Sequence, residues 1–128
     1  FHEAKINNHS EVLLWGSGTP MREFLFVDDM AQAVVYALEN NLPEHLYNVG
    51  TGKDITIRDL AETIQIVTGH QGEIIWDSEK LDGTPRKLMD VSKMKAMGWE
   101  YSTELKEGLE KTYQWFLENI KNLKEIKL

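Results

Sequence analysis

Short apolar runs alternate with segments whose apolar residues recur every three to four positions, and this alternation narrows the folds open to the sequence more than any other feature. The clearest helical segment lies between Thr56 and Gly69, with Ile57, Leu60, Ala61, Ile64 and Val67 on one stripe. Thr56 followed three residues later by Asp59 is a capping pair, and Gly69 suits the left-handed position that ends a helix. The run Val12 to Trp15 reads as a strand that stops at the turn-rich Gly16-Ser17-Gly18-Thr19-Pro20. Phe24 to Val27 reads as a second strand. It leads into a helix from about Asp29 to Glu39, capped by Asp28 and Asp29, that would bury Met30, Ala33, Val34, Ala37 and Leu38.

The remaining pattern repeats this order. His45 to Val49 is an expected strand ending at Gly50-Thr51-Gly52, and Ile74 to Trp76 is another, followed by the loop Leu81 to Lys87. A short helix from about Val91 to Met97 would end at Gly98. A long one would start near Ser102 or Thr103 and align Leu105, Leu109, Thr112, Phe116 and Ile120. The Lys-rich end, residues 121–128, is expected to fray. Strands separated by helices predict an α/β fold with parallel pairing, because parallel neighbours need a crossover. With no solenoid repeat and no Gly/Ser linker, residues 1–128 read as one unit.

Charge and composition exclude several functions. The chain carries 14 Lys and Arg against 21 Asp and Glu, a net charge of −7. General nucleic-acid binding needs a basic face, so an anionic ligand must instead meet a local basic pocket. There is no Cys, and so no disulfide framework, thiolate metal site or cysteine nucleophile, which fits a cytoplasmic protein. No run approaches the length needed to span a bilayer. The chain opens Phe1-His2-Glu3 without Met, which suggests a piece of something longer.

The motif search is mostly negative. Neither Gly16-Ser17-Gly18 nor Gly50-Thr51-Gly52 is completed by the third glycine of a dinucleotide fingerprint, and Gly52-Lys53-Asp54 lacks the Ser or Thr of a P-loop. His2, His9, His45 and His70 have no metal-ligand spacing and read as surface or turn residues, so no metal is expected. The Glu104, Glu107 and Glu110 series reads as a solvated helix face.

Arginine supplies the positive signal, because its planar fork of donors matches phosphate oxygens. Only Arg22, Arg58 and Arg86 occur, and two of them follow nearly the same words, Gly18-Thr19-Pro20-Met21-Arg22 and Gly83-Thr84-Pro85-Arg86. Lys87 adds a cation to the second. Trp15 and Arg22 flank one loop, so an aromatic plane and a cation could share a pocket for a nucleotide or sugar diphosphate. The alternative is that Trp15 is core and Arg22 pairs with Asp28 or Glu23. Arg58 lies in a helix's first turn, where the dipole disfavours a cation, so it needs a carboxylate or a ligand as partner, and a structural pair is the expectation.

These words, with Val27-Asp28-Asp29-Met30-Ala31, Asn48-Val49-Gly50-Thr51-Gly52, Thr56-Ile57-Arg58-Asp59-Leu60-Ala61, Asp82-Gly83-Thr84-Pro85-Arg86-Lys87 and Thr112-Tyr113-Gln114-Trp115-Phe116, resemble the GDP-L-fucose synthase family of extended short-chain dehydrogenases. The resemblance covers nearly the whole chain and corresponds to the C-terminal part of those Rossmann-type enzymes. It implies an oxidoreductase and isomerase that converts GDP-4-keto-6-deoxy-D-mannose to GDP-L-fucose by 3,5-epimerisation and NADPH-dependent 4-reduction. It further implies that Trp15, Arg22, Asp82 and Lys87 line the GDP-sugar site: Trp15 packs on the ligand, Arg22 and Lys87 neutralise diphosphate, and Asp82 accepts hydrogen bonds. Arg86 matches the motif and would serve as a loop anchor.

The same resemblance implies that the cofactor half lies elsewhere. The family's Gly-rich loop and Tyr-x-x-x-Lys pair are absent: four residues after Tyr36, Tyr47, Tyr101 and Tyr113 come Asn40, Thr51, Leu105 and Leu117. The expectation is therefore a substrate-binding piece, inactive alone, of a homodimeric enzyme whose N-terminal half binds NADPH. A UDP- or dTDP-sugar enzyme of the same superfamily, or a stand-alone nucleotide-sugar-binding module, are the alternatives.

Overall fold

The segment between Thr56 and Gly69 folds as its caps dictate in the computed structural model, which describes residues 1–122. The Thr56 hydroxyl accepts the Asp59 N–H at 3.0 Å and donates to the Asp59 carboxylate at 2.7 Å. At the other end Gly69 adopts φ 72°, and its N–H reaches the Gln65 and Ile66 carbonyls. Thr56→Ala removes both halves of this cap. It is expected to cost about 1 kcal/mol of stability, read as a lower urea midpoint at unchanged slope.

The chain runs α1 (His2–Ile6), β1 (Glu11–Trp15), β2 (Met21–Glu23), α2 (Val27–Glu39), β3 (Asp54–Thr56), α3 (Ile57–Thr68), β4 (Glu73–Asp77), β5 (Arg86–Lys87), α4 (Ser92–Ala96) and α5 (Leu105–Asn119), closing with a 3₁₀ turn at Ile120–Asn122. β1 and β4 pair in parallel, Trp15 opposite Asp77, with α2 and α3 in the intervening chain. The second sheet is ordered β3-β2-β5, with β2 antiparallel to β3 and parallel to β5. This is the expected α/β class. The residues 123–128 of the expected frayed tail lie outside the described residues.

Several sequence expectations are corrected. Phe24 to Val27 is not a strand: pairing ends at Glu23, and α2 begins at Val27. His45 to Val49 is not a strand either. Tyr47 and Val49 instead lay partly buried side chains on the cluster of Ala33, Met94 and Trp99. In both places an apolar run is used for packing without a ladder partner, which periodicity cannot distinguish. His70 is 5% exposed rather than on the surface, and its Nε2 has no hydrogen-bond partner among the described residues.

The helix stripe on α2 is also only partly buried. Ala33 is enclosed, but Val34 is 54% and Leu38 82% exposed, because no layer of the described chain covers that face. Leu13, Trp15 and Ile75 are likewise uncovered on the β1-β4 sheet.

Asp29 is the largest departure from local reading. Its side chain makes no cap bond to its own helix. It is 1% exposed and accepts the Ser102 hydroxyl at 2.7 Å, the Ser102 N–H at 3.3 Å and the Thr103 N–H at 3.0 Å. It thereby fixes the chain entering α5, which then crosses Phe26 at Gly108, where an added Cβ would come within 3.2 Å of the ring.

Candidate functional site

The site is built at the carboxyl ends of the parallel pair, where α/β sheets place their ligands. β1 ends at Trp15 and β4 at Asp77, and the Gly16 N–H donates to the Asp77 carbonyl at 2.9 Å. The turn after β1 requires glycine twice, Gly16 at φ 83° and Gly18 at φ 76°. At Gly18 a Cβ would also fall 2.7 Å from the Trp76 indole, so the backbone lies directly on that ring. Ser17 then joins this turn to the loop after β4: its N–H donates to Asp82 Oδ1 at 2.9 Å and its hydroxyl to Oδ2 at 2.6 Å. The Ser17 hydroxyl, followed by its N–H, holds the Asp82 carboxyl below the ordinary aspartate range.

Trp15, Arg22, Asp82 and Gly83 border one cleft of about 150 Å³. Trp15 is 75% exposed and is not core, with the Lys80 ammonium 5.6 Å from its ring centre. Arg22 donates to the Met21 carbonyl at 2.6 Å, and no carboxylate among the described residues forms an ion pair with it. The pairing with Glu23 or Asp28 is therefore not formed. Arg22 also borders a second hollow, of about 100 Å³, beside Lys53 and Tyr101.

Lys87 does not line either hollow. It stands in register beside Arg22 on the adjoining strand, so both side chains leave the same sheet face. Arg86, one residue earlier, faces the opposite way and grips Asp54 through Nε at 2.5 Å and Nη2 at 3.1 Å. That is the anchoring contact its position suggested.

Two residues beside the cleft make contacts that the sequence reading did not foresee. Glu23 accepts the Gly52 N–H at 2.6 Å and the Met89 N–H at 3.0 Å, tying the Gly50–Gly52 turn to the chain after β5. Nothing local marks it, since its partners lie 29 and 66 residues away. Arg58 was expected to meet a carboxylate, and instead it donates to the Ser17 carbonyl at 2.7 Å and lies 4.6 Å from the centre of the Trp76 ring.

The same contacts decide what the Gly-x-Gly turns can bind. A phosphate cradle needs free backbone N–H groups, but Gly52 N–H and Ser17 N–H already face the carboxylates of Glu23 and Asp82. Neither turn fits a dinucleotide pyrophosphate. Among the described residues no three metal-capable side chains converge.

The chain is similar to known proteins over most of its length. Residues 1–50 match the NAD dependent epimerase/dehydratase family. The chain is 51% identical to the probable GDP-L-fucose synthase 1 of Oryza sativa subsp. japonica, over 98% of this chain and 38% of that protein. It is 53% identical to the GDP-L-fucose synthase of Escherichia coli, over 93% of this chain and 40% of that one. The GDP-L-fucose synthetase of Naegleria fowleri, solved with NADP bound, superposes with a TM-score of 0.88 at 25% identity, covering 97% of this chain and 39% of that one. The fold is thus that of the extended, Rossmann-type epimerases and reductases, and the matched stretch is the C-terminal part of GDP-L-fucose synthases. The chain spans about 38% of the length of the curated relatives it matches.

Proposed function

We infer that this chain, similar over nearly its whole length to the C-terminal part of GDP-L-fucose synthases, is the GDP-sugar-binding part of such an enzyme. The parent converts GDP-4-keto-6-deoxy-D-mannose to GDP-L-fucose by 3,5-epimerisation and 4-reduction. The observation that carries the reading is Arg22 and Lys87 in register on adjacent strands. Two like charges side by side repel, and in a chain of net charge −7 a carboxylate could readily have been placed between them. A diphosphate relieves that repulsion and takes the donors of both.

Trp15 then offers an exposed plane to the base, and Asp82, while holding Ser17, keeps lone pairs for ligand hydroxyl or amino groups. The cleft's 150 Å³ is less than the roughly 300 Å³ of a site that encloses a whole ligand of this size. Other residues must complete it, as the uncovered faces of α2 and the β1-β4 sheet also suggest. This chain contributes binding and orientation, holding the sugar for chemistry supplied from the remaining part. NADPH, when bound there, supplies the hydride; no residue set among the described residues fits it, and the isolated chain is expected to be inactive. No helix among the described residues is long and apolar enough to cross a membrane, and a cytoplasmic homodimer is the form we assign to the parent.

Inhibition of the full-length enzyme tests the reading. GDP is expected to compete with the nucleotide-sugar substrate, and UDP and dTDP are not. Competition by UDP or dTDP alone would move the chain to another sugar-nucleotide enzyme of the same fold, and competition by none of them would remove the nucleotide site.

A further inference from the structure

Arg58 occupies a costly place. It lies in the first turn of the 12-residue helix α3, where the helix dipole opposes a positive charge, and no carboxylate among the described residues pairs with it. Its interactions all converge on one turn. The side chain donates to the Ser17 carbonyl at 2.7 Å, and the backbone N–H donates to the Gly18 carbonyl at 2.9 Å. The guanidinium lies against Trp76, the same indole on which Gly18 rests. On its other polar groups Ser17 is held by Asp82.

We propose that Arg58 is a positioning residue for the nucleotide cleft: its fork and the Trp76 plate fix the Ser17–Gly18 turn, and so set the placement of Trp15 and Arg22 on either side of it. This rests on the nucleotide-sugar reading above. The chemistry selects arginine over lysine, because one planar group must donate to a carbonyl while lying against an indole. Both donors on Ser17 are directed to Asp82, its carbonyl accepts from Arg58 and its hydroxyl oxygen accepts the Thr19 N–H, so the turn has one arrangement that satisfies all of these groups. Without Arg58 the carbonyl turns to solvent, the turn loses its contact with α3, and the aromatic plane and the cation no longer share a fixed separation. Arg58 does not line the cleft.

Two measurements on the full-length enzyme separate this proposal from the reading beneath it. Amide hydrogen exchange without ligand reports the turn itself: residues 16–19 are expected to exchange at least tenfold faster in Arg58→Ala than in the parent. Steady-state kinetics report positioning: KM for the GDP-sugar should rise about tenfold while KM for NADPH stays unchanged, and Arg58→Lys should recover part of the loss. Unchanged exchange in Arg58→Ala would overturn the clamp, and a raised exchange with unchanged KM would overturn the positioning role. If Arg58→Ala fails to fold, Arg58→Lys decides: wild-type kinetics from it would leave Arg58 a purely structural residue, and a raised GDP-sugar KM would support the proposal. Failure of GDP to inhibit the unmodified enzyme would sink the nucleotide reading and the positioning role with it, while the exchange result still decides whether the turn is clamped.

Discussion

Arg22→Ala in the full-length enzyme is expected to lower kcat/KM for the GDP-sugar about a hundredfold, with the unfolding midpoint little changed. The size follows from losing charge-assisted, bidentate-capable hydrogen bonds to a diphosphate, each roughly twice as strong as a neutral one. The small effect on folding follows from the structure, in which the guanidinium, among the described residues, holds only the Met21 carbonyl of the preceding residue. Lys87 keeps its place on the adjoining strand in the variant, so binding is expected to weaken without vanishing. Arg22→Lys keeps the charge but loses the fork, and should fall between the two. NADPH oxidation followed against GDP-sugar concentration gives both constants, and equal KM and kcat in the alanine variant would place Arg22 outside the site.

Asp29→Ala is expected to cost about 3 kcal/mol of folding free energy, because it removes a charged acceptor that three donors share and strands the buried Thr103 N–H at the entrance to α5. On a total stability of about 5–15 kcal/mol that is a severe loss. Asp29→Asn should recover part of it, since one side-chain oxygen still accepts. A pH dependence accompanies the carboxylate. Burial alone would raise its pKa, but the Ser102 hydroxyl and the Thr103 and Ser102 N–H groups outweigh burial and hold it below the ordinary aspartate value. A pKa lower in the folded than in the unfolded state stabilises the fold above the unfolded value, and that stabilisation disappears as pH falls through the folded one. Urea titrations from pH 7 down to about pH 3 should therefore show this contribution fading below about pH 5 in the parent and absent in Asp29→Asn. A parallel decline in both proteins would refute the assignment.

The same two residues mark how far the sequence could be read. That Arg22 stands beside a cleft was legible because an arginine after a Gly-Ser-Gly-Thr-Pro turn, matched by a second such word before Lys87, is a local pattern with a chemical meaning. The α3 caps and the β1 and β4 strands were legible for a similar reason: they depend on residues within a few positions of each other. Asp29 was read as a local cap because that is what an aspartate at a helix start usually does, whereas its partners lie 73 and 74 residues away. The strands expected at 24–27 and 45–49 failed for a related reason, since an apolar run records burial but not whether a neighbouring strand will be present to pair with it.

By itself the sequence determined the α/β class, the capped helix from Ile57 to Thr68, and the turn-rich loop that sets Trp15 and Arg22 beside one cleft. Each of these rests on short-range backbone preference or on a residue type whose chemistry is unusual. Only the tertiary structure decided that Arg22 and Lys87 stand in register, that Asp82 closes on Ser17, that Arg58 clasps the same turn, and that Asp29 serves α5 rather than α2. Those outcomes depend on which distant donor reaches which acceptor. That choice is fixed by the packing of all the elements together, and no window along the chain contains it.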